Sequence, residues 1–498
     1  MRRTSLARPR GLASPGDQSP QGSSLARSLL NPGRGHEGPQ GQAQRRATAR
    51  DKGVTPRAAI GRAAWGRLFC FPNRNGGTMK KSRLVMVGNG MAGVRTLEEL
   101  LKIAPDLYEI TVFGAEPHPN YNRIMLSPVL AGEQQLDEII LNDWSWYAQH
   151  GITLHAGCRV HAVDRARRVV HAVDAAGQPV SAEYDRLILA TGSRPFMLPV
   201  PGRELEGVLG YRDIADTQAM IAAAASHRHA VVIGGGLLGL EAANGLMKRG
   251  MDVTVVHVGE RLLDRQLDET AAALLQASLA ERGMRFLMQA QTRALTGDGQ
   301  GRVACVHLQD GREAPASLVV MAVGIRPETT LAEQMHLHVQ RGIVVSDTLQ
   351  TVTDPRIYAV GECAAHRGVA YGLVAPLFEQ GKVLANHLAE MGIGRYPGSQ
   401  TSAKLKVTGI HLFSAGDFRG DEGTEEIVLS DPGAGVYRKL VLRGDRLVGA
   451  CLYGDTEDGG WYFRLLRDGV AVQELRDRLM FGESQASQAS QADPASGP

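Results

Sequence analysis

Residues 82–93 read Ser-Arg-Leu-Val-Met-Val-Gly-Asn-Gly-Met-Ala-Gly, a short apolar run that meets the glycine pattern G-x-G-x-x-G. A helical stretch over residues 92–101 follows, and then a second apolar strand over residues 110–113. A strand, a glycine turn and a helix in this order begin a βαβ unit. The stretch therefore predicts a Rossmann-like unit that binds a dinucleotide.

The three glycines of this first loop have different expected roles. Gly88 permits the tight turn, Gly90 lets the backbone approach a pyrophosphate, and Gly93 lets the helix pack on the strand. The N–H groups at the start of the helix, where Met91 and Ala92 lie, can then bind phosphate oxygens.

The same order recurs about 145 residues later, where an apolar run over residues 230–233 meets a second glycine cluster. A helix to residue 248 and an apolar strand over residues 253–256 follow. Two βαβ units imply two nucleotide-binding domains in one chain. The residues expected at the second nucleotide are Gly234, Gly236, Leu237, Leu238, Gly239 and Glu241.

The two units differ in the residue that follows their second strand. In the first unit Glu116 lies 23 residues beyond Gly93, where a carboxylate can accept hydrogen bonds from both hydroxyls of a ribose. In the second unit His257 stands at this place, and Arg261 follows it. A carboxylate would repel a 2′-phosphate and an arginine would attract it, so the second site does not exclude NADPH. The alternative is that His257 is only a polar residue at a strand end.

Charge is unevenly distributed along the 498 residues. Residues 1–78 carry 14 Lys and Arg against 3 Asp and Glu, whereas residues 79–482 carry 41 against 47. The positive charge therefore belongs to the leader, and the folded body has no basic footprint for nucleic acid. No run of 18 apolar residues is present, so no membrane span is expected.

The five cysteines are far apart and form no CxxC pair. They are Cys70, Cys158, Cys305, Cys363 and Cys451. This spacing predicts neither a zinc site nor an iron–sulfur centre, so no metal is expected. It fits a reducing cytoplasm. No redox cysteine pair is expected, and no single residue is assigned a catalytic role.

Two further motifs give the chain a family resemblance. Residues 187–195 read LILATGSRP and residues 359–364 read AVGECA. With the two glycine loops they resemble the pyridine nucleotide–disulfide oxidoreductase superfamily. The resemblance implies an α/β fold with two Rossmann-like, three-layer ββα domains and a small α+β C-terminal domain. It implies FAD at the first loop and NADH or NADPH at the second.

The resemblance also implies roles for single residues. Those expected beside FAD are Thr191, Gly192, Gly361, Glu362 and Glu379. Glu362 would contact the ribityl chain, with Glu in place of the commoner Asp. Glu379, followed by Gln380, would open the helix that faces the pyrimidine edge of the flavin. Gly324 would belong to the strand that returns the chain from the nicotinamide domain.

Domain boundaries follow from these assignments and from composition. The leader is rich in Arg, Gly, Pro, Ser and Gln, which predicts disorder; either Met79 is the true start or the leader is a transit peptide. The expected segments are a disordered leader at 1–78, an FAD-binding domain at 79–200 and 325–398, a NAD(P)-binding domain at 201–324, a C-terminal interface or cap domain at 399–482, and a disordered tail at 483–498.

A closer resemblance rests on residues 120–127 (NYNRIMLS) and 260–268 (ERLLDRQLD). Together with the GECA segment they look like the flavin module of NAD(P)H-dependent nitrite reductase large subunits. Asn122 and Arg123 are then expected at the flavin or its phosphates; the alternative is a salt-bridged loop. Large subunits of that family continue into cysteine-rich iron–sulfur and sirohaem modules, and this chain has no such cysteines.

The chain is therefore expected to pass electrons to a separate iron–sulfur or sirohaem nitrite reductase component, or to a small electron carrier. A homodimer is possible for this family. Rubredoxin and ferredoxin reductases resemble the same region, often with a lysine just after the serine; here Pro128 follows Ser127, which deprives Glu241 of its usual charge partner. The alternatives are a rubredoxin or ferredoxin reductase, a stand-alone NAD(P)H oxidase or diaphorase, and a nucleotide-gated flavoprotein redox sensor.

Overall fold

The computed structural model of the chain describes residues 81–407 and 409–488. The predicted leader over residues 1–78 lies outside these described residues, and so does the part of the predicted tail beyond residue 488.

The strands are numbered in chain order. Those before residue 200 are β1 (Ser82–Val87), β2 (Tyr108–Gly114), β3 (Asn120–Tyr121), β4 (Ile140–Asn142), β5 (Thr153–Ala156), β6 (Arg159–Asp164), β7 (Val169–Val173), β8 (Pro179–Glu183), β9 (Arg186–Leu189) and β10 (Ser193–Pro195). Those of the middle of the chain are β11 (Val208–Leu209), β12 (His229–Ile233), β13 (Asp252–Val256), β14 (Arg285–Leu287), β15 (Thr292–Gly297), β16 (Val303–Leu308), β17 (Glu313–Pro315), β18 (Leu318–Met321), β19 (Ile325–Pro327), β20 (Ile343–Val345), β21 (Ile357–Ala359) and β22 (Ala364–His366). The last are β23 (Ser402–Val407), β24 (Ile410–Gly416), β25 (Glu425–Asp431), β26 (Val436–Arg443) and β27 (Arg446–Tyr453).

The α-helices are numbered in the same way. They are α1 (Met91–Ile103), α2 (Leu126–Leu130), α3 (Trp144–Gln149), α4 (Ile214–Ser226), α5 (Leu237–Lys248), α6 (Glu269–Glu281), α7 (Thr330–Gln334), α8 (Val374–Leu388), α9 (Gly459–Asp468) and α10 (Glu483–Gln488). Short 3₁₀ segments span Arg123–Met125, Asp137–Ile139 and Gln473–Phe481.

The first predicted βαβ unit is confirmed. β1 is the centre of a parallel five-stranded sheet with the order β21-β9-β1-β2-β5, and α1 connects β1 to β2. Successive residues of β1, Leu84, Val85 and Met86, are all buried, because a parallel sheet is covered on both faces. The loops that follow the carboxyl ends of its strands meet at one edge, where α/β proteins bind ligands.

The second unit is built in the same way. β12 is the centre of a parallel sheet with the order β11-β18-β12-β13-β14. The Gly88 N–H donates to the Phe113 carbonyl at 2.8 Å, and the Gly234 N–H donates to the Val256 carbonyl at the same distance. Each glycine loop is therefore joined to the end of its neighbouring strand by an equivalent hydrogen bond.

An antiparallel three-stranded sheet supplies the third layer of each unit. These sheets are β6-β7-β8 and β15-β16-β17, and Val170 and Val306 bury their side chains in the cores beneath them. The strands β10 and β19, where the chain crosses between the units, pair with each other antiparallel. This pairing joins the outgoing and returning segments and confirms the strand predicted around Gly324.

The C-terminal region is an antiparallel sheet with the order β23-β24-β27-β26-β25, with α9 packed on it. Its one buried arginine among the described residues, Arg438, is bonded to Asp455 and to Asp458. Tyr437 donates a hydrogen bond of 2.6 Å to Asp268, at the start of α6. The predicted α+β C-terminal domain is thus present and is joined to the second unit.

The predicted disorder from residue 483 is wrong for residues 483–488, which form α10. Ala486 is buried against the C-terminal core, and Glu483 forms an ion pair of 2.8 Å with Arg464. Tertiary contacts stabilise this short polar helix, and composition alone does not reveal such contacts.

Candidate functional site

The first glycine loop has the geometry of an anion cradle. Gly88 has a φ of +107°, and a side chain there would collide with the carbonyl of Ala190. A side chain on Gly93 would lie 2.9 Å from the Ala190 Cβ, so the helix needs glycine there to approach the strand. Apart from its chain neighbours and its own helix, no atom of the described residues lies within 4 Å of the Cβ position of Gly90. The loop is therefore closed towards the protein and open where a ligand would lie.

The first turn of α1 completes this cradle. Gly90 is its N-cap, in extended conformation and with no capping side chain, and the first turn carries no acidic residue. Met91 and Ala92 begin the helix, as expected. The first N–H groups of a helix lack partners within the helix and attract an anion. A pyrophosphate fits this opening.

Glu116 lies in a salt-bridged loop. One carboxylate oxygen accepts a 2.6 Å bond from Arg123, and the other accepts a 2.7 Å bond from the Tyr121 hydroxyl. The Arg123 guanidinium lies 4.8 Å from the centre of the Tyr121 ring. Asn122 caps the following 3₁₀ turn by accepting from the Ile124 N–H at 3.2 Å. Each Glu116 oxygen retains a lone pair for a ribose hydroxyl.

A second ion pair lies beside the first loop. Glu362 is mostly buried; it pairs with Arg212 and accepts a 2.8 Å bond from Ser193. A side chain on Gly192, which has a φ of +68°, would come within 3.5 Å of the Arg212 guanidinium. Arg123 donates to the Arg212 carbonyl at 2.8 Å. Glu116 and Glu362, two of the three carboxylates expected at FAD, are therefore bound by neighbouring arginines.

The Gly361 segment lies against the start of α1. Gly361 has a φ of +90°, and a side chain there would come within 3.0 Å of the Ala92 Cβ. Thr191 fixes the adjacent crossover by donating a 2.6 Å bond to the Glu328 carbonyl. The structure thus places Gly361 beside the start of α1. It also places Gly192, in the crossover segment, beside Glu362.

The prediction that Glu379 opens its helix is wrong, because α8 begins at Val374. Glu379 is exposed and accepts a hydrogen bond from Ser399. The next residue, Gln380, is fully buried and accepts from the Gly361 N–H at 3.0 Å. Its Nε2 has no partner among the described residues. Adjacent helical residues point about 100° apart, so only Gln380 faces the cofactor loop.

The second glycine loop repeats the first. Gly234 has a φ of +122° and lies against the Ala322 carbonyl, and Gly239 lies against the Gly234 carbonyl. Gly236 is the N-cap of α5, and in the described part of the chain only its own neighbours and helix lie within 4 Å of its Cβ position. Leu237 and Leu238 begin that helix. Gly324, with a φ of +117°, also adjoins open space.

His257 is part of the second loop. Its Nδ1 lies 3.1 Å from the Gly235 N–H, and its Nε2 lies 3.1 Å from the Arg261 carbonyl. A backbone N–H only donates and a carbonyl only accepts, so Nδ1 is unprotonated and Nε2 carries the proton. The imidazole in this arrangement is neutral. Unlike the carboxylate at the corresponding place of the first unit, it puts no negative charge where the ribose of the second nucleotide would lie.

Glu241 has hydroxyl partners. Ser127 donates a 2.7 Å bond to its carboxyl, and the Tyr211 hydroxyl lies 3.3 Å from the Ser127 hydroxyl. Burial raises the pKa of the Glu241 carboxyl, and the bond from Ser127 lowers it less. Burial likewise raises the pKa of Tyr211.

Cys363 is the described cysteine nearest the cofactor loops. It is fully buried, and its sulfur lies 3.3 Å from the Leu189 carbonyl. Burial raises the pKa of this thiol, which disfavours the reactive thiolate. The other described cysteines, Cys158, Cys305 and Cys451, are also free thiols on other elements. The described part of the site therefore has no redox-active disulfide.

Three site residues were missed at the sequence level. Arg212, Ser193 and Tyr121 bind the expected cofactor residues. Ser193 directly follows the Thr191-Gly192 pair, and Tyr121 lies within the NYNR segment, so both were close to a motif. Arg212 is in no motif and reaches the site only through the fold.

Comparisons with known proteins agree with this architecture. Residues 82–392 match the pyridine nucleotide-disulphide oxidoreductase family, and residues 402–470 match the rubredoxin NAD⁺ reductase C-terminal domain. The chain belongs to the pyridine nucleotide-disulphide oxidoreductase family. It is an oxidoreductase of this family. Within residues 81–407 and 409–488, no helix has both the length and the apolar character that crossing a bilayer requires.

Three similar proteins show the range of this family. The chain is 51% identical over 396 residues to a nitrite reductase [NAD(P)H] of Bacillus subtilis (80% of this chain, 48% of that protein). It is 48% identical over 380 residues to an assimilatory nitrate reductase electron transfer subunit of the same organism (76% and 48%). A putidaredoxin reductase–putidaredoxin complex has a TM-score of 0.71 at 27% identity, covering 83% of this chain and 99% of that one. The chain spans about half the length of the two Bacillus relatives.

Replacing Gly90 with Val should abolish FAD binding. The position is extended and open, so the fold accommodates the side chain, which would then occupy the space of the pyrophosphate. Flavin absorbance of the purified variant is the measurement. A yellow Gly90→Val protein with stoichiometric FAD would contradict the assignment of this loop.

Replacing Gly236 with Val should leave FAD bound but abolish reduction by NADH and NADPH. Gly236 is as open as Gly90, so each variant is the matched control for the other. Anaerobic bleaching of the flavin is the readout. Normal bleaching would mean that the nicotinamide nucleotide binds elsewhere.

Replacing Glu241 with Gln should stabilise the chain at high pH. Because the folded-state pKa is raised, the stability from the protonated carboxyl is full below the unfolded pKa and is lost as pH rises through the folded pKa. We expect a Tm gain of roughly 2–4 °C at pH 8, the shift that about 1 kcal/mol gives in a medium-sized domain, and none at pH 4. The exposed Glu133→Gln is the control, and an equal gain at both pH values would contradict the interpretation.

Proposed function

We propose that the chain takes electrons from NADH or NADPH and passes them through FAD to a separate redox protein. The observation that carries this proposal is the pair of equivalent open glycine loops, at Gly90 and Gly236, on two sheets joined by the β10–β19 pairing. The first loop would bind FAD, and the second would bind the NADH or NADPH that reduces it. Holding two reactants in fixed orientation is the main contribution of such a scaffold.

The FAD site extends from the first loop to the Gly361 segment. Its proposed residues are Gly88, Gly90, Met91, Ala92, Gly93, Glu116, Asn122, Arg123, Thr191, Gly192, Gly361 and Glu362, with Gln380 in place of Glu379. Gly90 and the first turn of α1 would take the pyrophosphate, and Glu116 the adenine ribose.

The nicotinamide nucleotide would lie on the second loop. Its proposed residues are Gly234, Gly236, Leu237, Leu238, Gly239, Glu241, His257, Arg261 and Gly324. Neutral His257 provides no carboxylate to repel a 2′-phosphate, so we infer that both NADH and NADPH are accepted. The partly buried Glu241 carboxyl, bound by Ser127, would remain uncharged more readily than an exposed one.

Bound FAD would accept a hydride from the nicotinamide and release electrons singly to a metal centre. The protein's own residues would bind and orient both nucleotides. The described site contains no reactive thiol. Cys363 is buried and its pKa is raised, and the cysteines of the described residues are free thiols, so no disulfide among them competes for the electrons. This arrangement supports direct transfer to a partner.

We infer that the partner is the iron–sulfur or sirohaem component of a nitrite-reducing system. The support is the 51% and 48% identity to proteins named for nitrite reduction and for electron transfer in nitrate assimilation. The match of residues 402–470 to a rubredoxin reductase domain, and the likeness to a reductase in complex with putidaredoxin, favour a small carrier as the second candidate. The free cysteines fit a cytoplasmic location.

Anaerobic stopped-flow spectroscopy tests this function. We expect NADH or NADPH to bleach the flavin rapidly, air to reoxidise it slowly, and a ferredoxin-type or rubredoxin-type carrier or a sirohaem nitrite reductase fragment to reoxidise it quickly. The Gly236→Val variant is the unreduced control. Reoxidation by air at turnover rates would instead identify an oxidase. A long-lived reduced complex that no carrier reoxidises would identify a sensor.

A further inference from the structure

A cluster of three metal-ligating side chains lies on the outer sheet of the second unit. Cys305 and His307 are two residues apart on β16, so their side chains point to the same face of the sheet. Their neighbours Val306 and Leu308 are buried on the opposite face. Glu313 on β17 is directly opposite His307 in the antiparallel register. The fold therefore brings a thiol, an imidazole and a carboxylate to one face.

The donor atoms of these residues are close together. Each residue offers one ligand atom, and the three atoms all lie within 4.8 Å of one another. The His307 Nδ1 is 2.8 Å from a Glu313 oxygen. Ligands of a single tetrahedral zinc ion, with Zn–S near ~2.3 Å and Zn–N near ~2.0 Å, are roughly 3–4 Å apart. Small side-chain rotations would bring all three atoms to this spacing.

The second nitrogen of His307 also has a partner. Its Nε2 lies 2.8 Å from the Thr296 hydroxyl on β15. In the ion pair Nδ1–H donates to Glu313 and Nε2 accepts from the Thr296 hydroxyl. When a metal replaces the proton at Nδ1, the same hydroxyl can accept from Nε2–H. Metal-bound histidines usually donate their other ring nitrogen to such an oxygen acceptor. The cluster therefore includes the outer hydrogen bond that a metal site requires.

We propose that Cys305, His307 and Glu313 bind a divalent cation of the zinc class, with water as the fourth ligand. Thiolate and imidazole ligands select Zn²⁺ over Mg²⁺ and Ca²⁺, which bind oxygen. Binding releases the Cys305 thiol proton to solvent, so the ion is held by one thiolate, one neutral imidazole and one carboxylate. The site ties β17 to β16 and does not depend on the proposed electron transfer.

The earlier expectation of no metal came from sequence spacing. Cys305 and His307 form a C-x-H pair, and Glu313 follows six residues later across a turn. That pattern matches no standard zinc motif. Only the strand register places Glu313 opposite His307. The plain alternative is an exposed cross-strand ion pair, His307 with Glu313, next to an unrelated thiol.

Cobalt titration of the FAD-loaded, chelator-treated protein distinguishes these two interpretations. We expect tetrahedral Co²⁺ absorption bands in the red, beyond oxidised flavin, that saturate at one equivalent and are displaced by Zn²⁺. Cys305→Ser and His307→Ala should abolish them, and Glu313→Gln should weaken binding. His171→Ala, on the corresponding strand β7 of the first unit, should leave them unchanged.

A second measurement guards against misfolded variants. Zn²⁺ should raise the Tm of the wild type and of His171→Ala, and should not raise that of Cys305→Ser. Flavin reduction by NADH should be equal in all of them, which shows that each variant is folded. Absence of the Co²⁺ bands in the wild type, or their persistence in both Cys305→Ser and His307→Ala, would overturn the proposal.

Discussion

The site depends on the contact between the first glycine of each loop and the residue that follows the neighbouring parallel strand, β9 in the first sheet and β18 in the second. Gly88 lies against the Ala190 carbonyl and Gly234 against the Ala322 carbonyl, both with positive φ. Only glycine combines that conformation with so close a backbone approach. This contact directs the following helix away from the sheet edge, so that its first N–H groups point to the nucleotide position. Both proposed nucleotide sites therefore depend on the same packing contact, that of a loop glycine against the backbone carbonyl after a neighbouring strand.

The charged groups around the first loop are bound to one another. Glu116 is bound by Arg123, Glu362 by Arg212, and the Arg123 guanidinium donates to the Arg212 carbonyl. Each buried or partly buried carboxylate thus has a cationic partner, which offsets its desolvation. Side chains held by such pairs lose less conformational entropy when they contact a nucleotide.

The sequence predicts those features of the site that depend on neighbouring residues. The glycine loop is predictable because the spacing of Gly88, Gly90 and Gly93, which have no side chains, is enough to define its turn. Glu379 was expected to open its helix, but α8 begins five residues earlier, at Val374, and no capping side chain marks that start in the sequence. The role of Arg212 depends on a contact 150 residues away in the chain, which no local pattern encodes.

The most direct test of the central claim is the flavin content of the purified wild-type chain, measured by its visible spectrum and by quantifying the flavin released on denaturation. We expect one FAD per chain, whose visible absorbance NADH removes under anaerobic conditions. A colourless protein that takes up no FAD on reconstitution would contradict it.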